Sequence, residues 1–500
     1  MRKLGIIDIG SNSIRLVIIQ IRTDGSYSII DELGDSVRLG EKTNGSNVIS
    51  KAKMESAVNT LRAFQNLCEA LEVQDIICVA TEAVRRSSNQ SKFIEKVREQ
   101  LNLEINIITG QEEAFYDYFG MVNTLNLQDG LIMDIGGSST ELILFNGRQI
   151  QQAISLPFGA ITISQMFHLE NAVNEQTKKE LQQFLYDHFS SIEWIRGGRP
   201  LIGIGGSFRN LGKIDRKLKK YPLDVTHNYS LSGSSLQEIY KRVNELSFEE
   251  RKEIKGLSKD RADIFPGALA EIAVILEMTG INEIIVSGSG LREGLLYEHL
   301  LRNRQPVEDV LDSSLQNIMR NYELNQMHAR QVWKIAYQLF DQLRSEFPAD
   351  RHCLNVLKTA ALLHDCGINI SYYDHHKHSF YMILNSHVNG LTHKELIMAA
   401  ETALLHRKDE TKIAAPYRTL LSNEEILTVQ KLGVLLRIAE SFDRRQNGNI
   451  YNLQVEYDKN SIEIRVAAKE VPTMEIRDAL SVASSFKKIF KRQIYIEEFH

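Results

Sequence analysis

The sequence predicts an α/β protein built from two similar halves, followed by an all-helical domain and a small α+β domain. Apolar strand patterns alternate with helical patterns up to about residue 303, and the motif that opens the chain recurs at residue 134. Strand patterns almost vanish from about 312 to 445 and return from about 450. Because 500 residues are too many for one hydrophobic core, we expect several domains. The predicted domains are 1–125, 126–305, 306–446 and 447–500.

The repeated motif begins each of the first two domains. It reads DIGSNSIRL from Asp8 and DIGGSSTEL from Asp134, with an apolar run before each copy. Each copy predicts a buried strand, a tight Gly/Ser turn and a second strand. Such a turn presents N–H groups and hydroxyls to phosphate oxygens, and the aspartate at its mouth can hold a hard cation such as Mg²⁺. A single copy could be an ordinary β-hairpin, but the duplication favours two loops that grip a phosphate chain from both sides.

The remaining elements follow from periodicity. In the first half, helical patterns cover 50–71, 89–101 and 111–124, with strand patterns at 76–79 and 105–108. The second half repeats the order of hairpin, helices, strand, helices, strand and closing helix, with its later strands at 201–204 and 284–286. Alternating strands and helices predict partly parallel sheets with helices on their faces. The polar stretch 302–306 predicts a linker.

The second part of the chain has a different pattern. Amphipathic stretches such as 331–343 and 356–363 predict helices that pack on one another. Alternation at 453–457 and 462–466, a helical pattern at 477–491 and an apolar run at 494–496 predict the small α+β domain.

Composition limits the class of protein. Charged residues make up 25% and hydrophobic residues 43%, as in ordinary globular proteins. A net charge of -5 argues against a general DNA or RNA binder. We expect no signal peptide and no membrane span, because no apolar run approaches about 18 residues. The four cysteines show no CxxC spacing, which is typical of reduced core residues in a cytoplasmic protein.

Four other predicted strands end in polar or glycine-rich segments at the same sheet edge. Glu112 and Glu113 follow the strand at 105–108, and they either complement the dipole of the next helix or include a base that activates water. The strand at 76–79 leads into ATEAVRR, and its two arginines, Arg85 and Arg86, suit phosphate. The segments GIGGSFRN, from Gly203, and SGSGLREGLL, from Ser287, each lead into a helix whose N-terminus could accept an anion.

Taken together, these segments and ITGQEEA resemble the motifs of the exopolyphosphatase and guanosine pentaphosphate phosphohydrolase family, within the actin-like ATPase superfold. The resemblance implies two RNase H-like domains with the active site in the cleft between them. It implies hydrolytic release of a terminal phosphate that depends on Mg²⁺ or another divalent cation, and a homodimer. Ser138 stands where a third glycine is usual in that family, and Ser207 stands where threonine is common.

The resemblance and the strand ends assign roles to individual residues. Glu113 matches the catalytic base, and the metal residues are Asp8, Asp134 and Glu141. The predicted phosphate-binding residues come from both repeated loops, the arginine pair and the third glycine-rich loop: Ser11, Asn12, Ser13, Arg15, Arg85, Arg86, Gly136, Gly137, Ser138, Ser139, Gly205, Gly206, Ser207 and Arg209.

The helical domain holds a second candidate site. His328, the pair His364 and Asp365, and Asp443 resemble in order the metal-dependent phosphohydrolases of the HD superfamily. The apolar run before His364 predicts that the pair points inward from a packed helix, where a His/Asp cluster can bind a divalent ion. Alternatively, the domain is a helical scaffold without a competent site. We expect the catalytic centre to lie in the cleft of the first two domains.

These observations predict an exopolyphosphatase that acts on inorganic polyphosphate. A guanosine pentaphosphate 5′-phosphohydrolase is the alternative, because both substrates present a terminal phosphoanhydride to the same loops. An actin-like ATP-dependent phosphotransferase or a non-enzymatic nucleotide sensor is a third hypothesis.

Overall fold

The computed structural model describes residues 1–41, 47–197, 199–348, 352–407 and 415–498. The chain forms two compact units, Met1–Glu308 and Asp309–His500. The division between the units lies just after the predicted linker. The finer boundaries at 125, 305 and 446 stay predictions.

The first half of unit 1 is a five-stranded sheet covered by helices. Its strands are β1 (Arg2–Ile9), β2 (Ile14–Ile21), β3 (Tyr27–Asp35), β4 (Asp75–Ala80) and β5 (Asn106–Ile107), in the order β3-β2-β1-β4-β5. The first three strands are antiparallel, and β4 and β5 run parallel to β1. The helices are α1 (Lys51–Ala70), α2 (Glu82–Arg85), α3 (Gln90–Leu101) and α4 (Gly110–Val122).

The second half of unit 1 repeats this order. Its sheet is β10-β11-β9-β6-β7-β8, from strands β6 (Asp129–Ile135), β7 (Thr140–Asn146), β8 (Gln149–Leu156), β9 (Leu201–Ile204), β10 (Tyr229–Ser232) and β11 (Glu283–Val286). The helices are α5 (Ala160–Met166), α6 (Glu175–Ser190), α7 (Gly205–Leu218), α8 (Gly233–Glu245), α9 (Phe248–Lys252), α10 (Phe265–Thr279) and α11 (Leu291–Leu301). The antiparallel β6-β7-β8 hairpins and the parallel β9 reproduce β1-β2-β3 and β4, as two tandem RNase H-like domains require.

Glycines let helices α4 and α11 pack backbone against backbone. A Cβ atom at Gly120 would clash with the carbonyl oxygen of Gly290, and one at Gly294 would clash with that of Tyr116. This close approach fixes α4 above the hairpins of the second sheet, and it positions the polar residues that α4 carries.

Unit 2 begins with a helical bundle and ends in a small sheet. The helices of the bundle are α12 (Val310–Asn321), α13 (Gln326–Gln342), α14 (His352–Leu363), α15 (His375–Asn385), α16 (His393–Leu404), α17 (Ala415–Arg418) and α18 (Asn423–Phe442). Strands β12 (Ile450–Tyr457), β13 (Ser461–Ala468) and β14 (Gln493–Glu498) form the sheet, with α19 (Thr473–Leu480) and α20 (Ala483–Phe490) between β13 and β14. The helical pattern at 477–491 therefore belongs to two helices, separated at Ser481 and Val482, and not to one.

The predicted fold class is confirmed, and the strands that the sequence missed share one property. β3, β8 and β10 all lie at sheet edges. Most residues of β3 and β8 are exposed or half-buried, so neither strand needs the apolar alternation that identifies a buried strand.

All four cysteines are buried free thiols. Among the described residues, no helix is both long enough and apolar enough to span a membrane.

Candidate active site

The turns of the two repeated hairpins line one cleft in unit 1. Residues from both sheets form the wall of this cleft. In each turn the glycine N–H donates to the carbonyl of the last serine, at 3.1 Å from Gly10 to Ser13 and at 3.0 Å from Gly136 to Ser139. The two loops therefore have the same hydrogen-bonded closure. Ser138 is not among the residues with positive φ, so the serine causes no backbone strain in the second turn.

The two hairpins differ in the charge of the residue that pairs with the aspartate on the neighbouring strand. Asp8 faces Arg15 in the register of β1 and β2, whereas Asp134 faces Glu141 in that of β6 and β7. The first loop therefore presents a cation beside its carboxylate and the second presents a pair of carboxylates. This difference makes the first loop the better anion site and the second the better cation site.

Helix α4 directs the side chains of the two neighbouring glutamates, Glu112 and Glu113, to different surroundings. Glu112 forms a capping box with Thr109, whose N–H and hydroxyl both donate to its Oε2, and its side chain is exposed. Glu113 points into the cleft and is 8% exposed. Burial raises the pKa of Glu113 to about 8, although the Arg85 guanidinium acts in the opposite direction by donating to Oε2 at 3.0 Å. Glu113 is thus the residue of the pair that can reach a molecule in the cleft.

Three carboxylates meet beside Glu113: Asp134 and Glu141 from β6 and β7, and Asp117 from α4. Each offers an oxygen within 4.8 Å of the others. Burial, followed by the charges of its neighbours, raises the pKa of Glu141 and of Asp117, and burial raises that of Asp134 to about 6. Ser155 donates to Oε1 of Glu141 at 2.6 Å, whereas Oε2 of Glu141 and Oδ1 of Asp134 receive no hydrogen bond from the described residues.

These carboxylates fit a hard divalent cation. Mg²⁺ prefers oxygen ligands and is usually bound by one or two carboxylates together with substrate phosphates. The predicted residues Asp134 and Glu141 lie in this group. Asp8 lies outside it, on the opposite loop, where burial raises its pKa and Arg292 and Arg15 act against that rise.

Four arginines line the same cleft: Arg15, Arg209, Arg261 and Arg292. Burial and the positive charges of Arg15 and Arg292 lower the pKa of Arg209. Burial, followed by Arg15 and Arg209, lowers the pKa of Arg261 to about 10. Guanidinium groups that repel one another in a cleft are stabilised by a multivalent anion, and phosphate matches their geometry.

The third glycine-rich loop enters the cleft at the start of α7, where Gly205 and Gly206 line the wall. Gly205 has φ +89°, and a Cβ atom there would clash with Oδ1 of Asp134. A glycine is therefore required for the loop to approach the second hairpin. Ser207 is buried behind the loop and does not line the cleft.

The two arginines of ATEAVRR lie away from the cleft wall. Arg85 is held by Glu82, Glu113 and the carbonyl of Ile108. Arg86 donates to the carbonyl of Pro157 and lines an adjoining pocket of about 390 Å³. Ser138 lines that pocket too. Arg85 therefore positions Glu113 in this structure, and the phosphate-binding roles of Arg86 and Ser138 stay predictions.

The sequence patterns did not single out three charged residues that the structure places in or beside the cleft: Asp117, Arg261 and Arg292. Arg292 follows a glycine-rich strand end and could have been found by the rule that identified Arg209. Asp117 lies one helical turn after Glu113, and this i,i+4 spacing was the available signal. Arg261 is the last residue of a short 3₁₀ helix, Lys259–Arg261, and no sequence pattern marked it as a binding residue.

In unit 2 the structure brings the four predicted residues together. Nδ1 of His328 lies 2.8 Å from Asp443, and Asp365 lies 3.8 Å from Nε2 of His328 and 3.5 Å from Nε2 of His364. Two further imidazoles complete the cluster on the other side of Asp365, His375 at 3.2 Å and His406 at 3.9 Å. All of these residues except Asp365 are at least 95% buried, and Asp365 has a side chain that is 20% exposed.

The electrostatics of this cluster suit a cation. Burial acts to raise the pKa of Asp365, but the charge of His364 and a hydrogen bond from His375 lower it overall. Burial and the neighbouring His364 lower the pKa of His406 well below its ordinary value. Imidazole nitrogens around an ionised carboxylate form a set of N and O ligands that suits zinc or another transition metal ion.

Comparison with known proteins identifies the relatives of this chain. The model of the Ppx/GppA phosphatase family matches residues 17–303, and that of Ppx/GppA phosphatase domain III matches residues 310–474. The chain is 28% identical to a solved Ppx/GppA family member from Aquifex aeolicus, with a TM-score of 0.53, over 61% of this chain and 99% of that one. It is 26% identical to an exopolyphosphatase from Cytophaga hutchinsonii, with a TM-score of 0.56, over 60% and 98%.

The first family model by itself covers more than half of the 500 residues; it includes the second repeated loop and begins directly after the first, which ends at Leu16. Its range ends within the polar stretch after α11, and that of the second begins with α12. The chain therefore belongs to the Ppx/GppA phosphatase family and is a hydrolase of phosphoanhydride bonds.

Proposed function

We propose that the protein is an exopolyphosphatase, which releases the terminal phosphate of inorganic polyphosphate by Mg²⁺-dependent hydrolysis. The observation that carries the proposal is a single cleft with four arginines and two phosphate loops on its wall and a buried glutamate at its base. The wall consists mainly of guanidinium groups, hydroxyls, carboxylates and glycine backbone. Such a surface suits a ligand made only of phosphate units.

Binding and positioning come from opposite sides of the cleft. The backbone and hydroxyls of Ser11 to Ser13 and of Gly136 to Ser139 would hold phosphate oxygens. Arg15, Arg209 and Arg261 would neutralise the negative charge of the chain. Positioning of this kind supplies most of the catalysis in phosphoryl transfer, because the reaction needs little covalent chemistry from the protein.

Asp134 and Glu141 would hold the divalent cation, with Asp8 on the facing loop. When bound, the cation would offset negative charge on the terminal phosphate and its leaving oxygen. Glu113 acts on water. Because Arg85 donates to Oε2, the other oxygen of Glu113 is left to accept the proton of the attacking water. Water attacks the terminal phosphorus, the anhydride P–O bond breaks, and orthophosphate and a shortened chain leave.

The test compares three substrates in parallel: long-chain polyphosphate, guanosine pentaphosphate and ATP. Phosphate release is measured at equal concentrations of terminal phosphate. We expect polyphosphate to give the highest kcat/KM. A higher value for guanosine pentaphosphate would instead make the protein a guanosine pentaphosphate 5′-phosphohydrolase, and turnover of ATP alone would favour an actin-like ATPase or kinase.

Unit 2 supports a second proposal, that His328, His364, Asp365 and Asp443 hold a divalent ion, with His375 and His406 beside them. The observation that favours it is that Nε2 of His364 is buried without a hydrogen-bond partner among the described residues and lies 3.5 Å from Oδ2 of Asp365. We propose that this ion stabilises unit 2 and that hydrolysis takes place in the cleft of unit 1. Metal analysis of the purified protein, compared with His364→Asn, tests the ion.

A homodimer and a cytoplasmic location complete the proposal. The dimer rests on the resemblance to the family, and the location rests on the reduced, buried cysteines. Light scattering on the purified protein tests the first, and fractionation of cells tests the second.

A further inference from the structure

We infer that Asp117 supplies a third carboxylate to the cation site of the cleft, from below its floor. This inference rests on the proposed function, because it deepens the site assigned to Asp134 and Glu141. Asp117 does not line the open cleft, and its side chain lies beneath it, with an oxygen within 4.8 Å of an oxygen of each of the other two carboxylates.

The state of Asp117 points to a ligand. Its side chain is 0% exposed, and neither of its oxygens receives a hydrogen bond from an N–H or hydroxyl group of a described residue. A buried carboxylate without a partner is costly, and a second and third carboxylate beside it increase that cost. Glu141 and Asp134 each add an oxygen that also lacks a donor. A divalent cation would satisfy all three carboxylates.

The position of Asp117 on α4 links the ion to the catalytic base. Asp117 and Glu113 are separated by four residues, so they lie one above the other on the same face of the helix. The helix is held in place by the backbone contact of Gly120 with Gly290. One rigid helix would therefore set the distance between the ion and the residue that activates water.

A competing explanation is that Asp117 is protonated and shares its proton with Asp134, since the two carboxyl groups lie within hydrogen-bond distance. Under that explanation Asp117 contributes to packing alone. Asp117→Asn distinguishes the two, because asparagine keeps the shape and can still donate to Asp134 but removes a charged ligand.

The experiment measures the binding of Mn²⁺, a paramagnetic ion with oxygen preferences similar to Mg²⁺, by titration with electron paramagnetic resonance and without substrate. Full-length wild type, Asp117→Asn, Asp134→Asn and Glu271→Gln are compared. Glu271 is the matched control, because it is also 0% exposed with one unpartnered oxygen but belongs to no ligand group. Every variant keeps unit 2 unchanged, so ions bound there add the same contribution to every titration.

We expect Asp117→Asn to weaken Mn²⁺ binding in the cleft by about tenfold or more, as loss of residues that support a metal commonly does. Glu271→Gln should bind as the wild type does. A cooperative melting transition without Mg²⁺ shows that Asp117→Asn is folded. The increase in melting temperature that Mg²⁺ produces should be smaller in this variant than in the wild type.

Unchanged Mn²⁺ affinity in Asp117→Asn, with weakened binding in Asp134→Asn, would overturn the inference and leave the proposed function standing. Unchanged affinity in both variants would overturn the cation site of the proposed function itself. Equal weakening in Asp117→Asn and Glu271→Gln would assign the effect to the loss of any buried carboxylate, and would also overturn the inference.

Discussion

At the scale of single residues, Glu112 and Glu113 show how two identical side chains acquire different roles. Glu112 closes a capping box with Thr109 at the surface, and Glu113 is buried at the base of the cleft beside Arg85. Both glutamates lie in the first turn of α4 and would interact equally well with the helix dipole. Only the direction of each side chain decides that Glu112 caps the helix and that Glu113 faces the cleft.

We therefore expect Glu113→Gln to keep the fold and lose most of the turnover, by about 10²–10⁴-fold, because positioned acid–base groups contribute that much. Glu112→Gln is the matched control and should keep nearly all activity, with a small loss of helix stability. Initial rates of phosphate release from polyphosphate, with circular dichroism to verify folding, make the comparison. Greater sensitivity at Glu112 would show that the assignment within the pair is wrong.

Glu271 gives a prediction on pH and stability. Burial raises its pKa to about 8 in the folded protein, although Thr140 donates to it at 2.7 Å. The folded state therefore holds the proton more tightly than the unfolded state, whose carboxyl titrates near pH 4.3. Stability from this group is complete at low pH and is lost as pH rises towards 8, at up to about 1.4 kcal/mol per pH unit.

Glu271→Gln removes this titration. The free energy of unfolding of the variant should therefore rise relative to that of the wild type between pH 5 and pH 8. Urea denaturation at several pH values measures it. A constant difference across that range would contradict a protonated Glu271 in the folded state.

At the scale of elements, the turn between β9 and α7 determines whether the third loop can approach the second hairpin. Gly205→Ala should cost about 1–2 kcal/mol of stability, because an L-residue is strained at φ +89°, and should also displace Asp134. We expect activity to fall and the Mg²⁺ concentration for half-maximal rate to rise.

Gly147→Ala provides the control for strain alone. Gly147 lies between β7 and β8 with φ +57°, and nothing lies within 4 Å of the position of its Cβ. The Gly147→Ala variant should lose a similar amount of stability, but its rate of hydrolysis and its Mg²⁺ requirement should equal those of the wild type. Equal loss of activity in both variants would mean that backbone strain, and not the contact with Asp134, accounts for the effect.

At the scale of the whole molecule, unit 1 and unit 2 each hold a cluster of potential metal ligands. We expect one hydrolytic site. Any phosphate release that remains in Glu113→Gln should be unchanged when His364 and Asp365 are also replaced by asparagine, and the double replacement alone should retain hydrolysis of short polyphosphate.

Assays with Mg²⁺ and with Mn²⁺ make this comparison. A metal-dependent activity that persists without Glu113 and disappears when His364 and Asp365 are changed would establish a second active site in unit 2.

The sequence by itself determined the fold class and the repeated loops, since these depend on local patterns of apolar runs and glycine turns. The choice of Glu113 as the predicted base came from the resemblance to the family, because the local pattern did not separate it from Glu112. The sequence also identified four residues of the cluster in unit 2 by their order along the chain. The sequence did not predict edge strands such as β3, because their side chains are poorly buried and show no apolar alternation. It did not predict the break between α19 and α20, because the residues on both sides of the break are helical.

Only the tertiary structure decided which residues share the cleft. Arg261 on the cleft wall comes from a short turn, and Asp117 beneath the wall comes from a helix interior; their local patterns are those of ordinary surface and core residues. The position of Asp117 depends on the approach of α4 to α11 through glycine, and its neighbours Asp134 and Glu141 are brought together by the pairing of two strands. Contacts between residues distant in sequence leave no periodic signal along the chain. The burial of these side chains and the charges around them are therefore set only when the sheets and helices pack together.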